Sequence, residues 1–322
     1  MAHFDLPLDQ LRSYIPDVEV PADFDDFWST ELEEASRHGS DVAVEPAGDL
    51  IRSAEVLDIR FSGHGGDRVA GWLYLPHETA DGAPVVVEYI GYNGGRGRPI
   101  DWLRWSSVGY PHLVVDSRGQ GGGWRSGDTP DPGDTGEPGS RGFVTRGLSD
   151  PRDHYYSRLF VDAARAVEAT RAIDSVAHRP VVVCGGSQGG ALALAAASLS
   201  QQASVVLADV PFLADFRRAV AITDAAPFSE IRDYCATYPD RVRSVFRTLS
   251  YFDVVNHAKR VMAPSLFSVA LMDEITPPST VFAAFNGLGG DGRIEVYEFN
   301  GHEGGGSVHF EKQVGFVREH LG

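Results

Sequence analysis

The chain has 322 residues, 43% hydrophobic and 23% charged, and its 28 Lys and Arg face 45 Asp and Glu for a formal charge of -17. That balance belongs to a globular protein with room for one large α/β domain or two ordinary ones; the acid excess repels nucleic-acid phosphates and acidic membrane surfaces, leaving a neutral or cationic small molecule as the easier partner. Two cysteines are too few for a disulfide framework, MAHFDLPLDQLRSY lacks the basic flank and apolar run of a signal peptide, and no long apolar run occurs, so a cytoplasmic location is expected.

Residues 1–50 read as a proline-punctuated entry and one acidic amphipathic helix, DFDDFWSTELEEASR, with Phe24, Phe27, Trp28 and Leu32 at helical spacing. EVLDIRFSG and RVAGWLYLP, separated by GHGGD, form a hairpin pattern. Beyond them, short apolar runs of parallel-sheet type (PVVVEYI, HLVVD, PVVVCG, SVVLADV, PSLFSVALMD, RIEVYEF) alternate with segments of helical period. Such alternation predicts an α/β fold, a mostly parallel sheet with helices on both faces. Two stretches interrupt it. Residues 119–150, rich in Gly, Pro and Asp, are too long for a plain connection and are expected to be a functional or interface loop. Residues 211–262 read as several helices and are expected to cap the sheet within a single domain spanning 1–322.

One turn in this order is chemically distinctive. Gly185-Gly186-Ser187-Gln188-Gly189 matches G-x-S-x-G and stands between a strand and a helix, the place of a nucleophile elbow in an α/β-hydrolase fold. A glycine-rich turn with Ser187 as a helix N-cap would account for the serine, but not for glycine on both sides of it. A serine hydroxyl is a poor nucleophile at neutral pH, so it needs a histidine base and a carboxylate that orients the histidine. In this fold they follow in the order acid, then histidine, after later strands. PSLFSVALMDE supplies Asp273, with Glu274 as the fallback and Asp253 less suitable because it precedes the strand. RIEVYEFNGHEGGG supplies His302; His309 and His320 fall in the last helical segment. Taken singly, Asp273 reads as a turn or cap residue and His302 as an idle loop histidine; order and placement together favour catalytic roles. A developing oxyanion also needs two backbone N–H donors. One is Gln188, and the other lies in GYNGGRGRP, at Tyr92 or Asn93. No metal or cofactor is called for: the His and Asp residues show no ligand spacing such as H-E-x-x-H.

With these residues placed, the sequence resembles the acetyl xylan esterase and cephalosporin C deacetylase family, carbohydrate esterase family 7. Its markers stand here as Arg118-Gly119-Gln120, Gly185-Gly186-Ser187-Gln188-Gly189 and His302-Glu303, and GYNGGRG, RGQGGGW, DVPFL, FRTLSYFD, PPSTVFAA and HEGGGS follow in family order over nearly the whole chain. The resemblance implies a catalytic triad of Ser187, Asp273 and His302, an oxyanion hole of the Tyr92 and Gln188 amides, and an acyl pocket walled by Phe212, Pro227 and Ile275. It implies a bracing role for Arg118 and Gln120. It also implies deacetylation of small substrates, acetylated xylo-oligosaccharides and cephalosporin C, by a cytoplasmic homo-oligomer, a hexamer, with neither nucleic acid nor membrane as partner. The alternatives are a general short-chain carboxylesterase or a serine peptidase-like α/β-hydrolase, and, in a different class, a non-catalytic binding protein of this fold, which would normally have lost a triad member.

Overall fold

The structure is a computed structural model and describes residues 3–80, 82–133 and 142–322. Residues 134–141, the middle of the expected functional or interface loop, lie outside the described residues.

Among the described residues, nine strands form one sheet in the order β1-β2-β3-β5-β4-β6-β7-β8-β9. β1 (Val42–Pro46), β2 (Ala54–Ser62) and β3 (Arg68–Pro76) are antiparallel, and the β2–β3 hairpin pairs from Ala54 with Pro76 to Ser62 with Arg68. β5 (His112–Val115) is antiparallel to β3 and parallel to β4 (Val85–Tyr89). β6 (Val181–Gly186), β7 (Val205–Asp209), β8 (Ser265–Ala270) and β9 (Gly292–Tyr297) continue in parallel from β4. All six apolar runs read as strands are strands. β1 carries no such signal because it is an edge strand with four of its five residues exposed.

The valine runs are buried on both sides, and their side chains alternate between two cores, as a two-residue repeat requires. Val85, Val87, Val181, Val183 and Val206 join the core that holds α2 (Phe24–Ser36), α4 (Tyr155–Arg171), α5 (Gln188–Ser200), α9 (Val254–Ala258) and α10 (Pro278–Asn286). Val86, Val182, Val205 and Leu207 turn to the opposite face, against Trp105 of α3 (Arg104–Ser107) and Phe316 and Val317 of α11 (Gly306–Leu321). α1 (Leu8–Leu11) lies in the entry segment; α6 (Phe216–Ile222), α7 (Phe228–Thr237) and α8 (Val242–Ser250) occupy half of 211–262.

Two histidines are built into the first core. His154 caps α4, accepting from the Tyr156 N–H at Nδ1, with Nε2 3.1 Å from the Val144 carbonyl. His257 packs among Phe24, Trp28 and Phe160. Burial pushes both down to about 3, so both are neutral in the folded chain at pH 7. A base whose folded pKa lies below its unfolded value of about 6.5 contributes stability that is complete above that value and is lost as pH falls toward 3. Asp253 opposes this: burial pushes its carboxyl up to about 7, so its contribution is present at low pH and fades as pH rises through that window. Replacing His154 by Asn, which can cap a helix without titrating, should therefore reduce the slope of unfolding free energy against pH between about 4.5 and 5.5 by roughly 1.3 kcal/mol per pH unit. Urea melts of both proteins across that range measure the difference.

Candidate active site

The elbow is a strained turn held by neighbouring backbone. Ser187 stands at φ 57°, ψ -120°, a region that a side-chain-bearing residue occupies only under constraint. Its N–H donates to the Asp209 carbonyl at 2.8 Å, and its own carbonyl accepts from Phe212 N–H at 3.0 Å. The flanking glycines are required by packing. A Cβ on Gly189 would stand 2.2 Å from the Tyr89 carbonyl oxygen, and one on Gly185 2.5 Å from the Gly189 backbone. α5 can therefore leave β6 this sharply, hard against β4, only with glycine at both positions. The Ser187 side chain makes no capping bond to α5, which removes the simplest structural reason for a serine there.

β6, β7, β8 and β9 are parallel and in register, so the residues that follow them lie along one edge of the sheet. Asp273 sits three residues past the end of β8, in a turn instead of on the strand end that its sequence suggests. The turn has its own purpose. Asp273 Oδ1 accepts from the Ile275 and Thr276 N–H groups at 2.8 and 3.1 Å, and Oδ2 from the Thr276 hydroxyl at 2.7 Å. The remaining partner of Oδ2 is His302 Nδ1 at 2.8 Å. Asp273 is buried, while the His302 side chain is 30% exposed. A carboxylate can only accept, so this bond places the ring proton on Nδ1 and leaves the Nε2 lone pair free. The His302 loop is seated beside the elbow: Gly304, at φ 57°, lies against Val210 and Ser268, the residues that continue β7 and lie in β8.

The other two late histidines are committed elsewhere. His309 Nε2 lies 2.9 Å from Asp209 Oδ1 and its Nδ1 3.0 Å from the Tyr297 hydroxyl, and His320 Nδ1 lies 2.9 Å from the Phe316 carbonyl. Glu274 turns outward and is exposed, and Asp253 accepts from the backbone N–H groups of Asp215, Phe216 and Val255 at the start of α9. Among the described residues, no group of three His, Cys, Asp or Glu is placed to hold a metal ion.

Tyr92 follows β4 and Gln188 opens α5. Among the described residues, neither backbone N–H donates to another group, so both are free to meet a ligand. Their positions are tied together by Gln120, whose Oε1 accepts from the Asn93 N–H at 2.6 Å and whose Nε2 donates to Gln188 Oε1 at 2.9 Å. Tyr156 also donates to Gln188 Oε1 at 2.9 Å, and Gln188 Nε2 donates to the Ile90 carbonyl at 3.1 Å. Arg118, fully buried, braces the base of this loop. Burial works against its charge, but the carboxylates of Asp162, Asp131 and Asp67 outweigh it and hold its pKa above the usual guanidinium value. Its Nε and Nη2 donate to the two oxygens of Asp162 at 2.5 and 2.8 Å, and Nη1 donates to Asp67 at 3.0 Å.

The sequence gives no sign of several partners. Thr276 reaches both Asp273 and His302, the latter at 3.4 Å. Trp124 donates its indole N–H to the Tyr92 carbonyl at 3.0 Å, and the Tyr92 hydroxyl accepts from Phe143 N–H at 2.7 Å and donates to Glu230 of α7 at 3.4 Å. Of the expected acyl-pocket residues, Phe212 is buried just after β7, where its N–H meets the elbow carbonyl, and packs against Tyr92 and Phe228, the neighbour of Pro227. Ile275 is half-buried in the acid turn, and that turn is tied to the 211–262 segment by the Thr223 hydroxyl, which donates to the Glu274 carbonyl.

Comparison with known proteins identifies the family and the fold. The family described as acetyl xylan esterase (AXE1) matches residues 1–320. The acetyl xylan esterase from Paenibacillus sp. R4 superposes with a TM-score of 0.91 at 36% identity, over 98% of this chain and 100% of that one. Acetyl xylan esterase 1 from Thermoanaerobacterium sp. JW/SL YS485 gives 0.87 at 32% identity, over 97% and 99%. Acetyl esterase Axe7A of Xylanibacter ruminicola is 25% identical over 289 residues, 84% of this chain, and the chain spans 61% of that relative's length.

Proposed function

The chain belongs to the acetyl xylan esterase family and has the α/β-hydrolase fold, and from that premise we propose that it hydrolyses acetyl esters of small saccharides by a serine mechanism. The observation that carries the proposal is the bond between buried Asp273 and His302 Nδ1, after strands parallel to the one that ends on the strained turn of Ser187. His302 Nε2 takes the Ser187 proton as Oγ attacks the acetyl carbonyl carbon. The Tyr92 and Gln188 N–H groups receive the oxyanion, each worth about 2.7–4 kcal/mol of transition-state stabilisation. Collapse expels the alcohol, which takes its proton from His302 and leaves an acetyl-enzyme. Water, deprotonated by the same nitrogen, then attacks that ester, the acetyl C–Oγ bond breaks as His302 returns the proton to Ser187 Oγ, and acetate departs.

Phe212, Pro227 and Ile275 close the acyl side of the site, and residues 211–262 act as a cap in one domain. Cephalosporin C is a second substrate in this reading because its acetoxymethyl ester presents the same small acyl group. A homo-hexamer in the cytoplasm completes it; the unpaired thiols of Cys184 and Cys235 accord with a reducing compartment. Sedimentation velocity tests the hexamer.

The acyl wall predicts a steep chain-length dependence. kcat/KM for p-nitrophenyl acetate should exceed that for the butyrate by roughly tenfold or more, and the octanoate should be turned over more slowly still, since each methylene that does not fit costs about 1–3 kcal/mol. Equal or better rates on octanoate would overturn the acetyl reading in favour of a lipase-like site.

A further inference from the structure

The loop that carries Tyr92 is a tight turn whose backbone polar groups can be accounted for one by one. Gly94 N–H donates to the Gly91 carbonyl at 3.1 Å and closes a β-turn over Gly91, Tyr92, Asn93 and Gly94. Asn93, third in that turn, stands at φ 64°, the left-handed value of a type II turn, where glycine or asparagine is favoured. The peptide between Tyr92 and Asn93 is held at both ends: its carbonyl accepts from Trp124 Nε1–H at 3.0 Å and its N–H donates to Gln120 Oε1 at 2.6 Å. The Asn93 carbonyl accepts from Gly123 N–H at 2.9 Å. Among the described residues, the Tyr92 N–H is the one group of these peptide planes left without a partner.

A type II turn becomes a type I turn when its central peptide turns over, which carries the residue after that peptide to negative φ. For a residue with a side chain, negative φ is the less strained side. The two bonds on the Tyr92–Asn93 peptide oppose that rotation. Turned over, the peptide would set the Tyr92 carbonyl against Gln120 Oε1, acceptor to acceptor, and Gln120 also carries the bond to Gln188 Oε1. Both oxyanion donors would then be disturbed together. Trp124 is suited to holding the turn and to little else: its ring is 53% exposed, and its indole edge lies so close to Gly94 that a Cβ there would stand 2.3 Å from Cζ2. It buries too little to matter much for packing, while its polar atom is committed to the loop.

We propose that Trp124 is a positioning residue for the oxyanion hole: its indole N–H keeps the Gly91–Gly94 turn in the form that presents the Tyr92 N–H to the substrate carbonyl. The inference rests on the serine reading above and adds to it a residue that acts through Tyr92.

Trp124→Phe in the full chain keeps an aromatic ring and removes the donor. kcat/KM for p-nitrophenyl acetate should fall about 10- to 100-fold, mostly in kcat, because the interaction weakened is one made in the transition state. A small trifluoromethyl ketone separates positioning from a general loss of active protein. Ser187 Oγ bonds to its carbonyl carbon, the serine proton passes to His302, and the carbonyl oxygen becomes an anion in the hole. Its inhibition constant should rise by the same factor as kcat/KM falls, whereas a preparation with fewer active molecules loses rate with that constant unchanged. Trp124→Gln, which places an N–H donor the same number of bonds from Cα, should be more active than Trp124→Phe. An unaltered kcat/KM in Trp124→Phe, a fall without the matching rise in the inhibition constant, or a glutamine variant no better than the phenylalanine one overturns the proposal. A ketone that fails to inhibit the unmodified chain overturns the serine reading and this inference with it, so the two failures are told apart.

Discussion

Ser187→Ala should lower kcat for acetyl-ester hydrolysis by about four to six orders of magnitude and leave the fold intact. The size of the loss follows from what remains. With the nucleophile gone, His302 has no hydroxyl to activate and no covalent ester forms, but the Tyr92 and Gln188 amides still polarise a bound carbonyl, so a small rate above water persists. Stability should change little, because alanine keeps the Cβ that the elbow already tolerates at φ 57° and the serine side chain makes no capping bond to α5. In the unmodified protein an organophosphate should label Ser187 alone, read as one modified peptide by mass spectrometry. Near-normal turnover in the alanine variant, with label found elsewhere, would mean that G-x-S-x-G here is only a close-packed turn.

Much of this arrangement can be read from the chain because its signals are local. The valine runs announce buried strands, the glycines around Ser187 announce a turn too tight for any Cβ, and the order serine, acid, histidine narrows eleven histidines to three. What escapes the sequence depends on contacts between distant segments. Gln120 and Gln188 are 68 residues apart and meet only because the segments after β5 and β6 converge over the end of β4, which lies between those strands. Glu230 reaches Tyr92 across 138 residues, and nothing around either residue marks the pair. The acid turn lies between these cases: Asp273 can be found by its order in the chain, but its displacement beyond β8 reflects the two N–H donors and the Thr276 hydroxyl that hold it there. β1 is invisible for a different reason, since an exposed edge strand buries too little to impose a period.

That turn makes Asp273→Asn the most informative substitution after the nucleophile itself. The Ile275 and Thr276 N–H groups both point at Oδ1, and they demand an acceptor. An asparagine must therefore place its carbonyl oxygen there and its NH2 group where Oδ2 now stands, facing His302 Nδ1. The NH2 group donates, so Nδ1 becomes the acceptor and the ring proton moves to Nε2, the nitrogen that has to take the proton from Ser187. The base is then blocked by its own proton without any movement of the ring. kcat should fall about 10⁴-fold at neutral pH while the thermal midpoint stays near that of the unmodified chain, because the turn retains both backbone bonds and the loss is one of tautomer rather than of packing. Nitrogen-15 NMR of the His302 ring reads the tautomer directly. A ring still protonated at Nδ1 in the asparagine variant, or a loss of rate matched by a loss of fold, would show that Asp273 serves the turn and not the histidine.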